Sequence, residues 1–345
     1  MKYKLFTKTK KFWNALRIDL EKAEKSIYIE MYIFWDDTKE SHDFVDLLSK
    51  RAKAGVEVVL VLDAFGSREL KQSSIKTMKD AGVEVLFFSD RIRRTHRKII
   101  VIDDKISFFG GANIKQNSKQ RLDLQARLAG KIVSKPFLRS FSYTYKMCGG
   151  KNKHILHHCR KSFFGKIKSF IIENLPGHKQ YKLTDYYKEQ LLKAKKSIKI
   201  TTPYFIPPRR LMALLDNALR RGVNIDIIIP YDTDIKTLNK INYHYIDKLM
   251  PLGIHFYAIP QMNHSKILII DDKEGLIGSQ NVDYLSMQHN IEVGAFFKQK
   301  DMVQNLLKIF EKRKKQSKPY KDMDIRLTLK DRIFGRFFRA FFYFM

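Results

Sequence analysis

The chain carries one long segment twice, and this duplication limits its folding more than any other feature. HRKIIVIDDKISFFGGAN, starting at His96, returns as HSKILIIDDKEGLIGSQN at His264, 168 positions later (264 − 96). AKAGVEVVLVLD and LRRGVNIDIIIP form a second matching pair. A period of that length is a domain-scale repeat and not a solenoid. Each copy must therefore be a folding unit in its own right.

Both copies alternate helical stretches with short apolar runs. In the first, 26–34 (SIYIEMYIF), 56–62, 83–88 and 99–102 read as strands. Helices fall at 43–54 and ahead of Gly82. In the second, strands fall at 197–206, 224–229, 255–259 and 267–270, with helices at 209–221 and 234–250. Short apolar runs between helices predict buried strands, largely parallel. The expected fold is α/β: two α/β/α halves with mixed, largely parallel sheets. The expected division is a first half over 1–130, a basic connecting segment over 131–182, a second half over 183–300, and a C-terminal helix and tail over 301–345.

The repeated motif is His96-x-Lys98-x4-Asp103-x6-Gly110-Gly111-x-Asn113, then His264-x-Lys266-x4-Asp271-x6-Gly278-Ser279-x-Asn281. On an extended strand alternate side chains share a face, so each His and Lys point the same way. The glycines let the chain bend and the backbone approach a ligand. The Asn then returns to the mouth that holds the His and Lys. A lysine ammonium and an asparagine amide are both donors suited to phosphoryl oxygens. A lone His-x-Lys is a surface accident in most chains; two full copies at matching places are not.

This duplicated pattern resembles the signature of the phospholipase D superfamily, HxKx4Dx6GSxN. The resemblance runs from about Phe12 to Phe297, and within the superfamily it is greatest to bacterial cardiolipin synthases. IYIEMYIFWDD, LDAFGSREL, GGAN, TPYFIPP and GSQNVDYLSMQHNIEVG support it. Gly111 departs from the serine of the general signature and matches the cardiolipin synthase branch. The membrane-spanning N-terminal helices of some members have no counterpart here.

The resemblance implies a duplicated phospholipase D-like fold with one active site and a two-step displacement at phosphorus. One histidine attacks and forms a phosphohistidine; the other protonates the leaving alcohol and then deprotonates the incoming one. The commoner order makes His96 the nucleophile and His264 the acid/base, while the residues themselves leave the order open. Lys98, Lys266, Asn113 and Asn281 are expected to stabilise charge on the phosphoryl oxygens, with Ser279 a further donor. The family places an acid downstream of each motif. Asp123 follows His96 by 27 residues (123 − 96) and Glu292 follows His264 by 28 (292 − 264), so each acid is paired with the histidine before it. A solvated charge is the alternative for Asp123. Asp103 and Asp271 are expected to have structural roles near strand ends. The implied reaction is phosphatidyl transfer from a phospholipid, with phosphatidylglycerol as donor, to a lipid alcohol. It needs no cofactor and no metal.

The 66 Lys and Arg against 36 Asp and Glu give a net charge of +30, so the partner surface is expected to be anionic. An anionic phospholipid membrane fits; a nucleic acid is the rival partner, without an interleaved aromatic and basic platform for bases. A nuclease, a hydrolytic phospholipase D and a dead lipid-binding scaffold are the competing functions. Cys148 and Cys159 exclude a disulfide framework; beside His154, His157 and His158 a zinc site is the alternative to plain loop residues, but the spacing fits no compact metal-ligand pattern and no metal is expected. No signal-like leader and no window near 18 apolar residues occur. Peripheral contact at the cytoplasmic face of a bacterial inner membrane is the expected location. If helical, 163–175 would gather Phe163, Phe164, Ile167, Phe170, Ile171 and Leu175 on one side, against either a membrane or the core. The tail 330–345 (KDRIFGRFFRAFFYFM) would set phenylalanines opposite Arg332, Arg336 and Arg339 and lie in the headgroup region.

Overall fold

A computed structural model describes residues 2–159, 170–325, 327–331 and 335. The chain divides into two compact units, Met1–Ile171 with Asn290–Val293, and Ile172–His289 with Gly294–Met345.

The first unit holds strands β1 (Lys2–Lys8), β2 (Ser26–Met31), β3 (Glu57–Asp63), β4 (Glu84–Phe88), β5 (Lys98–Ile102), β6 (Ile106–Gly110) and β7 (Leu122–Ala129). Its helices are α1 (Thr9–Glu21), α2 (Phe44–Lys53), α3 (Gln72–Asp80), α4 (Lys131–Met147) and α5 (Lys153–His157). The strands form one sheet in the order β1-β7-β6-β5-β2-β3-β4. Only β2-β3 and β3-β4 pair in parallel; β5, β6, β7 and β1 join antiparallel. The parallel part is thus confined to strands linked through α2 and α3. β5 and β6 are joined by a tight turn, and a turn that short connects only antiparallel neighbours.

The second unit contains β8 (Ile171–Leu175), β9 (Gln180–Tyr181), α6 (Lys182–Lys193), β10 (Ser197–Thr201), β11 (Phe205–Ile206), α7 (Arg209–Arg220), β12 (Asn224–Pro230) and α8 (Lys236–Leu249). It continues through β13 (His255–Ile259), β14 (Ile267–Ile270), β15 (Glu274–Gly278), β16 (Val282–Asp283), α9 (Tyr284–Gln288), β17 (Glu292–Phe297, in this unit from Gly294 on), α10 (Lys300–Lys315) and β18 (Lys318–Pro319). Its main sheet runs β18-β13-β12-β10-β14-β15-β17-β8-β9. The stretch β17-β15-β14-β10-β12-β13 has the order and polarity of β7-β6-β5-β2-β3-β4. The sequence duplication is therefore a duplication of topology.

Each unit has its own apolar core. In the first, Trp13, Leu16, Leu20, Ile29, Leu60 and Ile100 are fully buried. In the second, Leu191, Ile200, Leu215, Ile227, Ile246 and Leu268 play the same part. Two sequence expectations change. Lys131–Met147 is not a loose connection but a long helix of the first unit. Ile171–Leu175 is a strand, so the helix expected over 163–175 does not continue there; 163–169 lie outside the described residues. Of the tail 330–345, only Lys330, Asp331 and Gly335 are described, so the amphipathic-helix expectation lies outside them as well.

Candidate active site

In the first unit the motif opens just before β5. Thr95 bridges Ile291 in parallel: the His96 amide donates to the Ile291 carbonyl at 3.0 Å, and the Ile291 amide to the Arg94 carbonyl at 2.8 Å. The residue after Ile291 is thereby delivered to the His96 ring. Glu292 Oε1 lies 3.0 Å from His96 Nδ1, with Glu292 fully buried and His96 only 7% exposed. An ionised carboxylate only accepts hydrogen bonds, so the contact calls for the proton on Nδ1.

Tyr32 completes the wall. Its ring meets His96 edge-on with centroids 4.8 Å apart, and Lys98 Nζ sits 5.1 Å from the same ring. Lys98 is fully buried and donates to the His96 carbonyl at 2.5 Å. Burial, reinforced by Asp63, pushes the Tyr32 phenol up to about 12, so it stays neutral. Behind the histidine, buried Arg97 pairs with Glu30 at 3.0 Å and donates to Ser140 Oγ at 2.6 Å and to Thr144 Oγ1 on α4. Burial drives the Glu30 carboxyl up, and Arg97 opposes it.

The motif's Asn comes from the turn after β6. Gly110 has φ 148°, and a Cβ there would lie 2.2 Å from the Leu124 carbonyl oxygen, so only glycine fits. Gln125 Oε1 accepts from the Ala112 amide at 3.1 Å and holds the turn. Asn113 is 5% exposed, and its Oδ1 accepts from the Ile33 amide at 3.3 Å, which leaves the NH2 group as its donor end.

The two motif aspartates occupy left-handed turns, φ 51° at Asp103 and 53° at Asp271. Asp103 accepts from the amides of Lys25 (2.7 Å), Ser26 (3.0 Å) and Glu24 (3.1 Å). Asp271 accepts from Lys196 (2.7 Å), Ser197 (3.0 Å) and Lys195 (3.0 Å). Partial burial works against ionisation, but the three amides outweigh it and hold both carboxyls below the usual range. Each aspartate ties a hairpin turn to the start of a neighbouring strand and touches no motif histidine.

In the second unit Lys266 donates from Nζ to its own histidine, at 2.7 Å to the His264 carbonyl and 3.0 Å to Nε2. His264, Lys266, Ser279 and Asn281 are all buried. Asn281 Oδ1 is buried with no hydrogen-bond partner among the described residues, an acceptor that a ligand hydroxyl could satisfy. β16 follows Asn281 and pairs with β11, whose Ile206 lines a cavity of about 500 Å³ together with Pro207, Leu211, Met212, Tyr245 and Met287 and with the charged Asp185, Lys188, Arg209 and Arg210.

Counting along the chain assigned Glu292 to His264; the carboxylate is found on His96 instead. The cause is the Thr95–Ile291 bridge, which attaches Asn290–Val293 to the first unit. Asp123 is buried at the second position of β7, where its Oδ1 accepts from the Leu124 amide at 2.7 Å. Tyr32, Glu30 and Arg97 were not foreseen. A tyrosine just past a strand and an arginine inside His-Arg-Lys carry no pattern that marks them.

A family model described as "Cardiolipin synthase, PLD-like domain" matches residues 16–144 and 187–314. "Minor cardiolipin synthase ClsB" of Bacillus subtilis is 32% identical, over 80% of this chain and 72% of that protein. "Probable cardiolipin synthase YwiE" of the same organism is 30% identical, over 86% of this chain and 63% of its own length. The chain therefore spans roughly two thirds of the curated relatives it matches. Among solved structures, phosphatidylserine synthase of Haemophilus influenzae superposes with a TM-score of 0.78 at 15% identity, covering 98% of this chain and 93% of that one. Duplicated motifs in duplicated units, a family match to each half and relatives at this identity lead to one conclusion: the chain belongs to the cardiolipin synthase family of phospholipase D-like proteins.

Proposed function

We propose that the chain is a cardiolipin synthase-type phosphatidyltransferase that works through a phosphohistidine. The observation that carries the reading is the buried Glu292–His96 pair with Lys98 beside it. It is a nucleophile held in the tautomer that attacks, next to a fixed cation. His96 Nε2 attacks phosphorus of phosphatidylglycerol as the P–O bond to the headgroup glycerol breaks. The acid/base histidine, assigned to His264, gives that glycerol oxygen its proton. A hydroxyl of a second phosphatidylglycerol then attacks the phosphohistidine, returning its proton to the same group. Two phosphatidylglycerols become cardiolipin and glycerol. Lys98, Lys266, Asn113 and Asn281, with Ser279, are assigned to the phosphoryl oxygens. The charge stabilisation comes from protein cations, so EDTA should leave the initial rate unchanged; a rate restored only by one divalent ion would contradict this.

Two features support lipid over nucleic acid as substrate. The second-unit cavity joins an apolar wall of Ile206, Leu211, Met212 and Met287 to the cationic Lys188, Arg209 and Arg210, a mixture that suits an anionic lipid. On the first unit, Phe65, on the loop after β3, and Ile92, on the loop that leads to His96, are 51% and 59% exposed. Arg68 and Arg94 stack on Phe65 at 4.8 and 4.7 Å, and Arg91 and Arg93 flank Ile92. Exposed apolar side chains amid arginines suit an anionic bilayer surface. No helix among the described residues is long and apolar enough to cross a membrane; the reading is peripheral association, at the cytoplasmic face of a bacterial inner membrane.

The test is to incubate purified protein with phosphatidylglycerol vesicles and analyse lipids by mass spectrometry. Cardiolipin with released glycerol is expected. Phosphatidic acid alone would make the protein a hydrolase. Cleaved nucleic acid without a lipid product would make it a nuclease.

A further inference from the structure

The β5–β6 turn of the first unit and the short helix α5 carry a cluster the proposed chemistry does not use. We propose that Asp104, His154 and His158 form a binding site for one divalent cation of the Zn2+ class. One ligand atom from each of the three residues lies within 4.8 Å of the other two. Asp104 Oδ2 and His154 Nε2 are 3.3 Å apart, and the rings of His154 and His158 stand at 86° with centroids 5.3 Å apart. Tetrahedral zinc with bonds near 2.0–2.1 Å sets its ligand atoms about 3.3–3.5 Å from one another. The cluster needs only a small side-chain closure to meet that spacing.

Two further atoms point to a missing ligand. Asp104 Oδ1 and His158 Nε2 are buried and have no hydrogen-bond partner among the described residues. Buried polar atoms are normally satisfied, and here two of the three residues of one cluster each keep such an atom. An ordinary Asp104–His154 ion pair would account for neither of them.

The internal repeat supplies a comparison. Asp103 and Asp104 correspond to Asp271 and Asp272, all with positive φ. In the second unit Asp272 is neutralised by Lys199, 2.7 Å away. The residue at the matching strand position in the first unit is Tyr28, whose hydroxyl bonds Glu57. Asp104 thus lacks the lysine its counterpart has and faces two imidazoles one helical turn apart instead. Two histidine nitrogens and one carboxylate make a three-ligand zinc set with a fourth position for water. Asp104 lies past the far end of β5 from His96, eight residues or roughly 25 Å along the strand. The ion would pin α5 to the sheet and take no part in turnover.

The test uses the full-length protein, stripped with chelator and titrated with Zn2+ by calorimetry. One ion per chain is expected, with His154→Ala, His158→Ala and Asp104→Asn each weakening binding at least tenfold. Zn2+ should raise the thermal midpoint of the wild type and not of the variants. The His154 side chain is 56% exposed, so His154→Ala should keep the metal-free melting curve of the parent. A variant-free measurement runs beside it: Zn2+ should shield His154 and His158 of the wild type from diethylpyrocarbonate. Absence of saturable one-to-one binding, undiminished affinity in His154→Ala, or modification of both histidines at the same rate with and without Zn2+ would overturn the proposal.

Discussion

At the scale of single residues, the proposed mechanism gives the Glu292 carboxylate, 3.0 Å from His96 Nδ1, a task that depends on its charge. In that mechanism it would accept Nδ1–H and balance the positive charge that His96 gains during nucleophilic attack. Glu292→Gln keeps the size and one hydrogen-bonding geometry but loses the charge. Turnover is expected to fall about 10²-fold, the lower range for losing a proton-handling group, with little change in KM. A kcat within twofold of wild type would remove the assigned role. His96→Asn and His264→Asn are each expected to abolish turnover while far-UV circular dichroism stays unchanged. The motif residues themselves were legible because the duplication flagged them. The identity of the acid on His96 was not, because it is set by a chain crossing that sequence distance cannot express.

Asp103 shows how a motif residue can serve the fold and not the chemistry. Its carboxyl is held below its ordinary value, so its stabilisation is fully present above the unfolded value of about 3.9. It is lost as pH falls through the lower folded value. Asp103→Asn should cost about 1–3 kcal/mol at pH 7, the range for hydrogen bonds to a charged, partly exposed group. Denaturant titrations of both proteins should converge as pH falls through the lowered folded value and the wild-type carboxyl takes up its proton. A gap that persists undiminished at low pH would mean the charge is not what matters.

At the scale of elements, most strands and helices were readable from periodicity. The expected helix 209–221 is Arg209–Arg220, and the expected strand 255–259 is His255–Ile259. Helix α4 was missed for a physical reason. Its buried face includes Ser134, Ser140, Ser142 and Thr144 beside Phe137, Phe141 and Tyr145, so the apolar stripe is broken. Ser140 and Thr144 are there to accept from Arg97, a fully buried cation placed by the strand beneath. Removing Arg97 would strand the Glu30 carboxylate, whereas removing one hydroxyl leaves other acceptors. Arg97→Met is therefore expected to destabilise by about 3–5 kcal/mol and Thr144→Val by about 1 kcal/mol. Chemical denaturation would check both, and equal losses would show that the network is not centred on the arginine.

At the scale of the whole molecule, the charge of +30 was plain from composition, but composition does not say where it acts. The loops before His96 supply a candidate, with Phe65 and Ile92 exposed among arginines. The two kinds of residue predict different responses. Attraction between basic side chains and anionic headgroups is screened as the Debye length falls from about 10 Å at 0.1 M salt to about 3 Å at 1 M. Insertion of an isoleucine is not screened, and burying such a side chain is worth about 1.5–3 kcal/mol. Ile92→Ser should therefore weaken binding to phosphatidylglycerol vesicles by at least about tenfold, by a similar factor at 0.1 and 0.5 M salt. Arg91→Gln should weaken it mainly at 0.1 M, by about 1 kcal/mol. Both variants should turn over a dispersed short-chain substrate at the wild-type rate, because neither side chain belongs to the motif. Vesicle co-sedimentation at the two salt concentrations measures the difference. Equal binding of wild type and Ile92→Ser would place the membrane contact elsewhere on the chain.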